Sequence, residues 1–176
     1  MKKEKFTSQL VAMAFLIALE IVLTRLLSIN LPTLRIGFGF VPVIICAILF
    51  GPYWTALCYA VGDFIGIILF TTGTPFPGFT VSAALTGLIY GFVFYKKNVT
   101  TKRALLGSLS VMIPISLFLN TFWLTILVGD GFWVLFTTRI FQVVILTIIQ
   151  TITIPLICNK ILVRIPFYIN NPNVVK

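Results

Sequence analysis

From Ala104 to Val128 the chain runs without one charged side chain, and stretches of this kind limit what the protein can become. Twenty helical residues rise about 30 Å, the thickness of a bilayer's hydrocarbon core. A water-soluble domain of 176 residues cannot hide several such stretches and still clothe itself in polar groups. Here 59% of residues are hydrophobic and 10% are charged, against about 25% charged in ordinary soluble domains. The expected fold is an all-α integral membrane protein, a bundle of six transmembrane helices forming a single domain over residues 1–176.

The first apolar stretch covers about Ser8 to Leu27. It follows a basic segment, as the core of a signal peptide does, but it is too long and no small-residue cleavage site follows it. It reads as a retained helix. A second stretch, about Gly37 to Phe50, is short and suits a tilted or partly re-entrant helix, ended by Gly51-Pro52. Four more cover about Tyr53–Phe70, Phe79–Tyr95, Ala104–Val128 and Phe132–Val163, the last with a possible kink at Pro155. Two prolines and two glycines between Thr71 and Gly78 make a loop, and Gly129-Asp130-Gly131 is a tight break.

A net charge of +9 can signal nucleic acid, but here its placement follows topology. Lys2, Lys3 and Lys5 precede the first stretch. Lys96, Lys97, Lys102 and Arg103 follow the fourth, and Lys160, Arg164 and Lys176 follow or end the sixth. Six crossings put all of them on one side, as cytoplasmic cations require; five would split them. Both termini are thus expected in the cytoplasm of a multi-pass cell-membrane protein, with no nucleic-acid partner. The triplet Asn98-Val99-Thr100 falls on the same side and is discounted as a glycosylation site.

Five ionisable residues do not follow this pattern: Glu20, Arg25, Arg35, Asp63 and Arg139. In the six-helix arrangement all five fall in the outer half. A charge at mid-bilayer costs about 2.5–3.5 kcal/mol on insertion scales, so such groups face the bundle interior or a watery cavity and have partners. One reading is an internal ion pair, for example Asp63 with Arg139. Another is an outward-facing pocket whose guanidinium groups take carboxylates or phosphates, while a carboxylate takes the N–H edge of a heterocycle. Arg25 and Arg35 also suit interfacial anchors, and Glu20 a nearby arginine or a neighbouring helix. Phe76 and Phe79 flank Pro77-Gly78, with Thr80 following, and Trp123 and Trp133 lie towards the same side. They suit either an aromatic belt or a stacking wall, to which Asn120 and Gln142 add hydrogen bonds. The proline-glycine loop suits a lid.

Close helix approach is signalled by Ala14 and Ala18, Gly62 and Gly66, and Gly87 and Gly91, each pair sharing one helix face. Cys46, Cys58 and Cys158 sit apart in apolar runs and read as small buried hydrophobes. With no histidine, they argue against zinc or haem; no cofactor or metal is expected. No phosphate-binding G-x-x-x-x-G-K-[ST] loop, H-E-x-x-H or G-x-S-x-G occurs, which argues against an ATPase or a membrane enzyme. The chain is also small for a self-sufficient secondary transporter, which usually repeats a bundle of this size.

Several phrases resemble a known family. Arg35 to Pro42, Leu49-Phe50-Gly51-Pro52 with Asp63 beyond, Phe76 to Ala83, and Ala14 with Ala18 are similar to segments of the substrate-binding S components of energy-coupling factor (ECF) vitamin importers, most of all the folate-specific branch. Gly37 departs slightly, since serine is as common there. The resemblance implies a subunit that captures folate or a related pterin outside. It implies docking through Ala14 and Ala18 on a membrane coupling subunit bound to two ATPases, and delivery of the ligand by rotation in the membrane. Folate's flat pterin suits Asp63 and the aromatic rings, and its two carboxylates suit Arg25, Arg35 or Arg139. The expected substrate-binding set is therefore Arg25, Arg35, Asp63, Phe76, Pro77, Gly78, Phe79, Thr80, Asn120, Trp123, Arg139 and Gln142. Another vitamin, thiamine or riboflavin, or an independent small transporter are the alternatives.

Overall fold

The structure, a computed structural model, describes residues 2–30, 35–70, 76–129 and 131–160. Most of the loop from Thr71, together with Asp130, Arg164 and Lys176, lies outside the described residues. Lys2, Lys3, Lys5, Arg35 and Lys160 are placed by backbone alone.

The chain is a helical bundle. Helix α1 (Lys2–Ile21) passes into a π-helical turn, Val22–Leu26. A two-residue hairpin follows, β1 (Ile29–Asn30) pairing antiparallel with β2 (Arg35–Ile36), with Asn30 opposite Arg35. Then come α2 (Phe40–Phe50), α3 (Pro52–Leu69), α4 (Pro77–Phe94), α5 (Thr101–Val111), a π-helical segment (Met112–Leu119), α6 (Asn120–Val128) and α7 (Phe132–Lys160). The breaks fall where the sequence placed them. Gly51 sits at φ 86° with Pro52 opening α3, and Gly129 at φ 79° ends α6. Both angles belong to the left-handed region that glycine adopts without a Cβ clash.

One helix starts earlier than expected, and the fifth apolar stretch is not one regular helix. α1 begins six residues before Ser8, because Lys and Glu are good helix formers and extend the helix into the interface. α7 runs through Pro155 as one helix of 29 residues. The segment from Ala104 to Val128 folds as α5, the π segment and α6 in succession. Pro114 lies in the π segment; it has no N–H and crowds the carbonyl one turn back, and a π segment absorbs such a defect without ending the helix.

Among the described residues, five helical segments are long and apolar enough to cross a membrane: Phe6–Leu26, Pro52–Leu69, Pro77–Phe94, Thr101–Val128 and Phe132–Cys158. Their outward residues, such as Phe15, Phe64, Phe92 and Phe141, are exposed apolar side chains, as a lipid-facing surface requires. α2 has 11 residues and rises only about 16 Å. It is apolar on every side because every side is covered: Pro42, Ile44, Cys46, Ala47 and Ile48 are buried, among α1, α3, α4 and α7. Its residues join Tyr90, Phe94, Ala104 and Ile154 in the main core. Inside that core the Tyr90 hydroxyl donates to Gln150 Oε1 at 2.9 Å, which satisfies two polar groups that lipid or protein would otherwise penalise.

The paired small residues do two different jobs. Gly87 and Gly91 let α4 lie directly against the backbone of α3: a methyl group at Gly87 would come within 2.7 Å of the Thr55 carbonyl oxygen, and one at Gly91 would overlap Pro52 Cα. Gly62 and Gly66 instead make room on α3 for polar side chains of α1. A Cβ at Gly62 would lie 2.5 Å from Glu20 Oε2, and one at Gly66 2.9 Å from Arg25 Nε.

A candidate ligand site at one end of the bundle

The π turn after α1 carries Arg25 across to α3. There its Nη2 donates to Asp63 Oδ1 at 3.1 Å. The other carboxylate oxygen of Asp63, Oδ2, accepts from the Thr80 hydroxyl on α4 at 3.0 Å. Three helices therefore meet on one carboxylate. The Arg25 side chain is 6% exposed and that of Asp63 18%, so the pair is largely withdrawn from solvent. Glu20, one turn below, is buried and accepts from the Thr24 hydroxyl at 2.8 Å. It faces α3 through Gly62, the neighbouring-helix role open to it in the sequence.

The ion pair falls between Asp63 and Arg25, not between Asp63 and Arg139. Arg139, on α7, donates instead from Nη1 to the Ser116 carbonyl at 3.0 Å. That carbonyl belongs to the π segment, where the wider helical turn leaves backbone oxygens open to side-chain donors. Arg139 Nε is buried without a hydrogen-bond partner among the described residues, and so is Asn120 Oδ1, four residues beyond Ser116. Gln142 is buried on α7, one turn from Arg139.

An aromatic wall stands at the start of α4. Phe76 packs on Trp123 of α6 with ring centroids 5.5 Å apart, and edge-on to Phe79 at 6.1 Å. Pro77 opens the helix, where its missing N–H costs nothing. Gly78 is buried beneath the two rings: a Cβ there would lie 2.5 Å from Phe76 and 2.6 Å from Trp123. Trp123 Nε1 donates to Ser82 Oγ at 3.2 Å. The first two turns of α4 thus hold both the carboxylate, through Thr80, and the indole, through Ser82. Trp133 is exposed and sits apart from this wall, in a cluster with Phe132 and Phe136.

Of the residues expected to bind substrate, Arg25, Asp63 and Thr80 form one polar node, and Phe76, Gly78, Phe79 and Trp123 form a wall joined to it through α4. Asn120 lies on α6, and Arg139 and Gln142 lie one turn apart on α7. Arg35 contributes a described backbone but no described side chain. Ser82 was missed, being a short polar residue in an apolar stretch, where most such residues bond only their own helix; Ser116 takes part through its backbone carbonyl, which no side chain signals. Ala14 and Ala18 are exposed on α1, with no helix covering them among the described residues.

The chain has known relatives. The family model described as "ECF transporter, substrate-specific component" matches residues 8–174. The chain is 44% identical over 150 residues to the folate transporter FolT of Clostridium novyi (strain NT), covering 85% of this chain and 87% of that one. It is 34% identical over 122 residues to the folate transporter FolT of Leuconostoc mesenteroides subsp. mesenteroides, covering 69% of this chain and 65% of the relative. A solved structure titled "Crystal structure of FolT bound with folic acid" superposes with a TM-score of 0.83 at 35% identity, over 88% of this chain and 94% of that one. Matched along nearly its whole length, this multi-helix membrane chain belongs to the family of substrate-specific components of ECF transporters.

Proposed function

We propose that this chain captures folate for an ATP-driven ECF importer. The observation that carries the reading is the Asp63 carboxylate, held between Arg25 and Thr80 beside the Phe76–Trp123 wall. A carboxylate offers about four acceptor positions. A guanidinium, a hydroxyl and the amino and N–H groups of a pterin suit one such carboxylate together. The pterin ring stacks on the aromatic wall, and Arg25, Arg35 or Arg139 takes the carboxylates of the glutamate tail. Pro77 and Gly78 shape the entrance, and Asn120 and Gln142 line the ligand with amide groups. The relatives described as folate transporters and the neighbour carrying folic acid support this choice of ligand.

The chain forms one domain, crosses the membrane six times with α2 as a short sixth crossing, and keeps both termini in the cytoplasm. The exposed faces of Ala14 and Ala18 let the helix of a coupling subunit approach closely. That subunit carries two ATPases, so ATP is hydrolysed on other chains. The test is folate binding to the purified chain in detergent by calorimetry. Tight one-to-one binding is expected, with large losses in Asp63→Ala and Arg139→Ala. A folded protein that ignores folate overturns the assignment, and unchanged affinity in both variants overturns the pocket.

A further inference from the structure

The turn between α4 and α5 and the first turn of α5 hold Lys96, Lys97, Lys102 and Arg103, and no acid occurs in the sequence between Asp63 and Asp130. Two of these cations close the turn. Lys97 Nζ donates to the Phe92 carbonyl at 2.9 Å, and Arg103 Nη1 to the Asn98 carbonyl at 2.6 Å. Thr100 caps α5 by accepting the Arg103 N–H at 3.4 Å. Lys96 stands at φ 50°, a left-handed angle uncommon for a residue with a Cβ, with its ammonium 5.1 Å from the Tyr95 ring centroid. The Tyr95 ring in turn lies over Gly51, fastening the turn to the corner between α2 and α3. Lys96 and Lys102 remain exposed, and no carboxylate pairs with either among the described residues.

Next to these cations the surface is apolar. Phe92, one turn before Lys96, is exposed and edge-on to exposed Tyr53 at 6.4 Å. Leu106, one turn beyond Lys102 on the same face of α5, is 63% exposed. Exposed cations beside exposed apolar side chains match an anionic amphiphile, with charge at the membrane surface and hydrocarbon below it. An acidic peptide or a dissolved anion would meet the cations but make no use of the apolar side chains beside them.

We propose that the α4–α5 turn is a binding site for an acidic phospholipid, whose phosphate is reached by Lys96 and Lys102 and whose acyl chains lie along Phe92 and Leu106. The site is independent of the transported ligand. Trp54 reports on it: it is 42% exposed on the first turn of α3, at the same end as Tyr53 and Phe92. Trp123, packed on Phe76 at the start of α4, and Trp133, at the start of α7, lie at the opposite end of the bundle.

The experiment reconstitutes the full chain in phosphatidylcholine vesicles containing brominated phosphatidylglycerol or brominated phosphatidylcholine, and reads tryptophan quenching. A cation near an anionic surface favours binding by about 1 kcal/mol, or roughly fivefold. The wild type should therefore prefer the glycerol lipid about fivefold or more, and the preference should shrink as salt rises. Lys96→Gln/Lys102→Gln should bring it to within about twofold of parity while quenching by phosphatidylcholine stays the same. Equal quenching by the two lipids in the wild type overturns the proposal. So does a preference that survives the double substitution. Loss of the preference to inorganic phosphate at matched ionic strength would mark a small-anion site and overturn it as well.

Discussion

The Arg25–Asp63 pair allows a quantitative test. Its charges are 3.1 Å apart, with side chains 6% and 18% exposed. At an effective dielectric constant of 20 they attract by about 5 kcal/mol. Withdrawing them from solvent costs several kcal/mol per ion, so the intact pair contributes little net stability. Removing one member is another matter, because the remaining charge stays buried. Asp63→Leu leaves the Arg25 guanidinium without its carboxylate and the Thr80 hydroxyl without its acceptor, at a cost of about 3–5 kcal/mol. Arg25→Met should cost about 3 kcal/mol for the mirror-image reason. The double variant strands no charge and should fall within about 1–2 kcal/mol of the wild type, giving a coupling energy of at least about 3 kcal/mol. The measurement is unfolding in mixed micelles of rising SDS fraction, followed by tryptophan fluorescence, on all four proteins. Folate affinity should fall in all three variants, the double one included, which separates the stability role of the pair from its role in the site. Single effects that add to within about 0.5 kcal/mol would refute the buried-pair argument.

Three further outcomes are expected. Gly91→Val places a branched side chain against Pro52 Cα and should destabilise the α3–α4 contact by about 3 kcal/mol or more, whereas Gly129→Ala, with open space around it but φ at 79°, should cost only about 1 kcal/mol in the same SDS titration. Gly78→Ala pushes Phe76 and Trp123 apart and should weaken folate binding about tenfold, or 1.4 kcal/mol, by calorimetry. Ala14→Leu/Ala18→Leu should leave folate affinity unchanged while abolishing co-purification with the coupling subunit, because bulky residues prevent close helix approach.

The residues that break or continue helices act locally, and so the order of elements could be read before any fold was known. Gly51-Pro52 and Gly129 end helices through their own backbone preferences, and long apolar stretches commit the chain to lipid whatever their neighbours are. The phrase from Phe76 to Ala83 likewise marked the aromatic wall, since Pro77 and Gly78 constrain the chain around them. The partner of Asp63 was not legible. Arg25 and Arg139 have the same chemistry, and which one reaches a carboxylate on α3 depends on how α1 and α7 are rotated in the bundle. Gly66 decided it by opening a seat for Arg25 on α3, and the π turn after α1 carries that side chain inward. The fate of Arg139 was settled by the π segment around Pro114, whose Ser116 carbonyl it meets. The sequence by itself determined the medium, the helices and the chemistry available, because those are sums over local residues. Only the tertiary structure decided which charges meet, because contacts between residues 38 positions apart are fixed by helix packing and not by either residue alone.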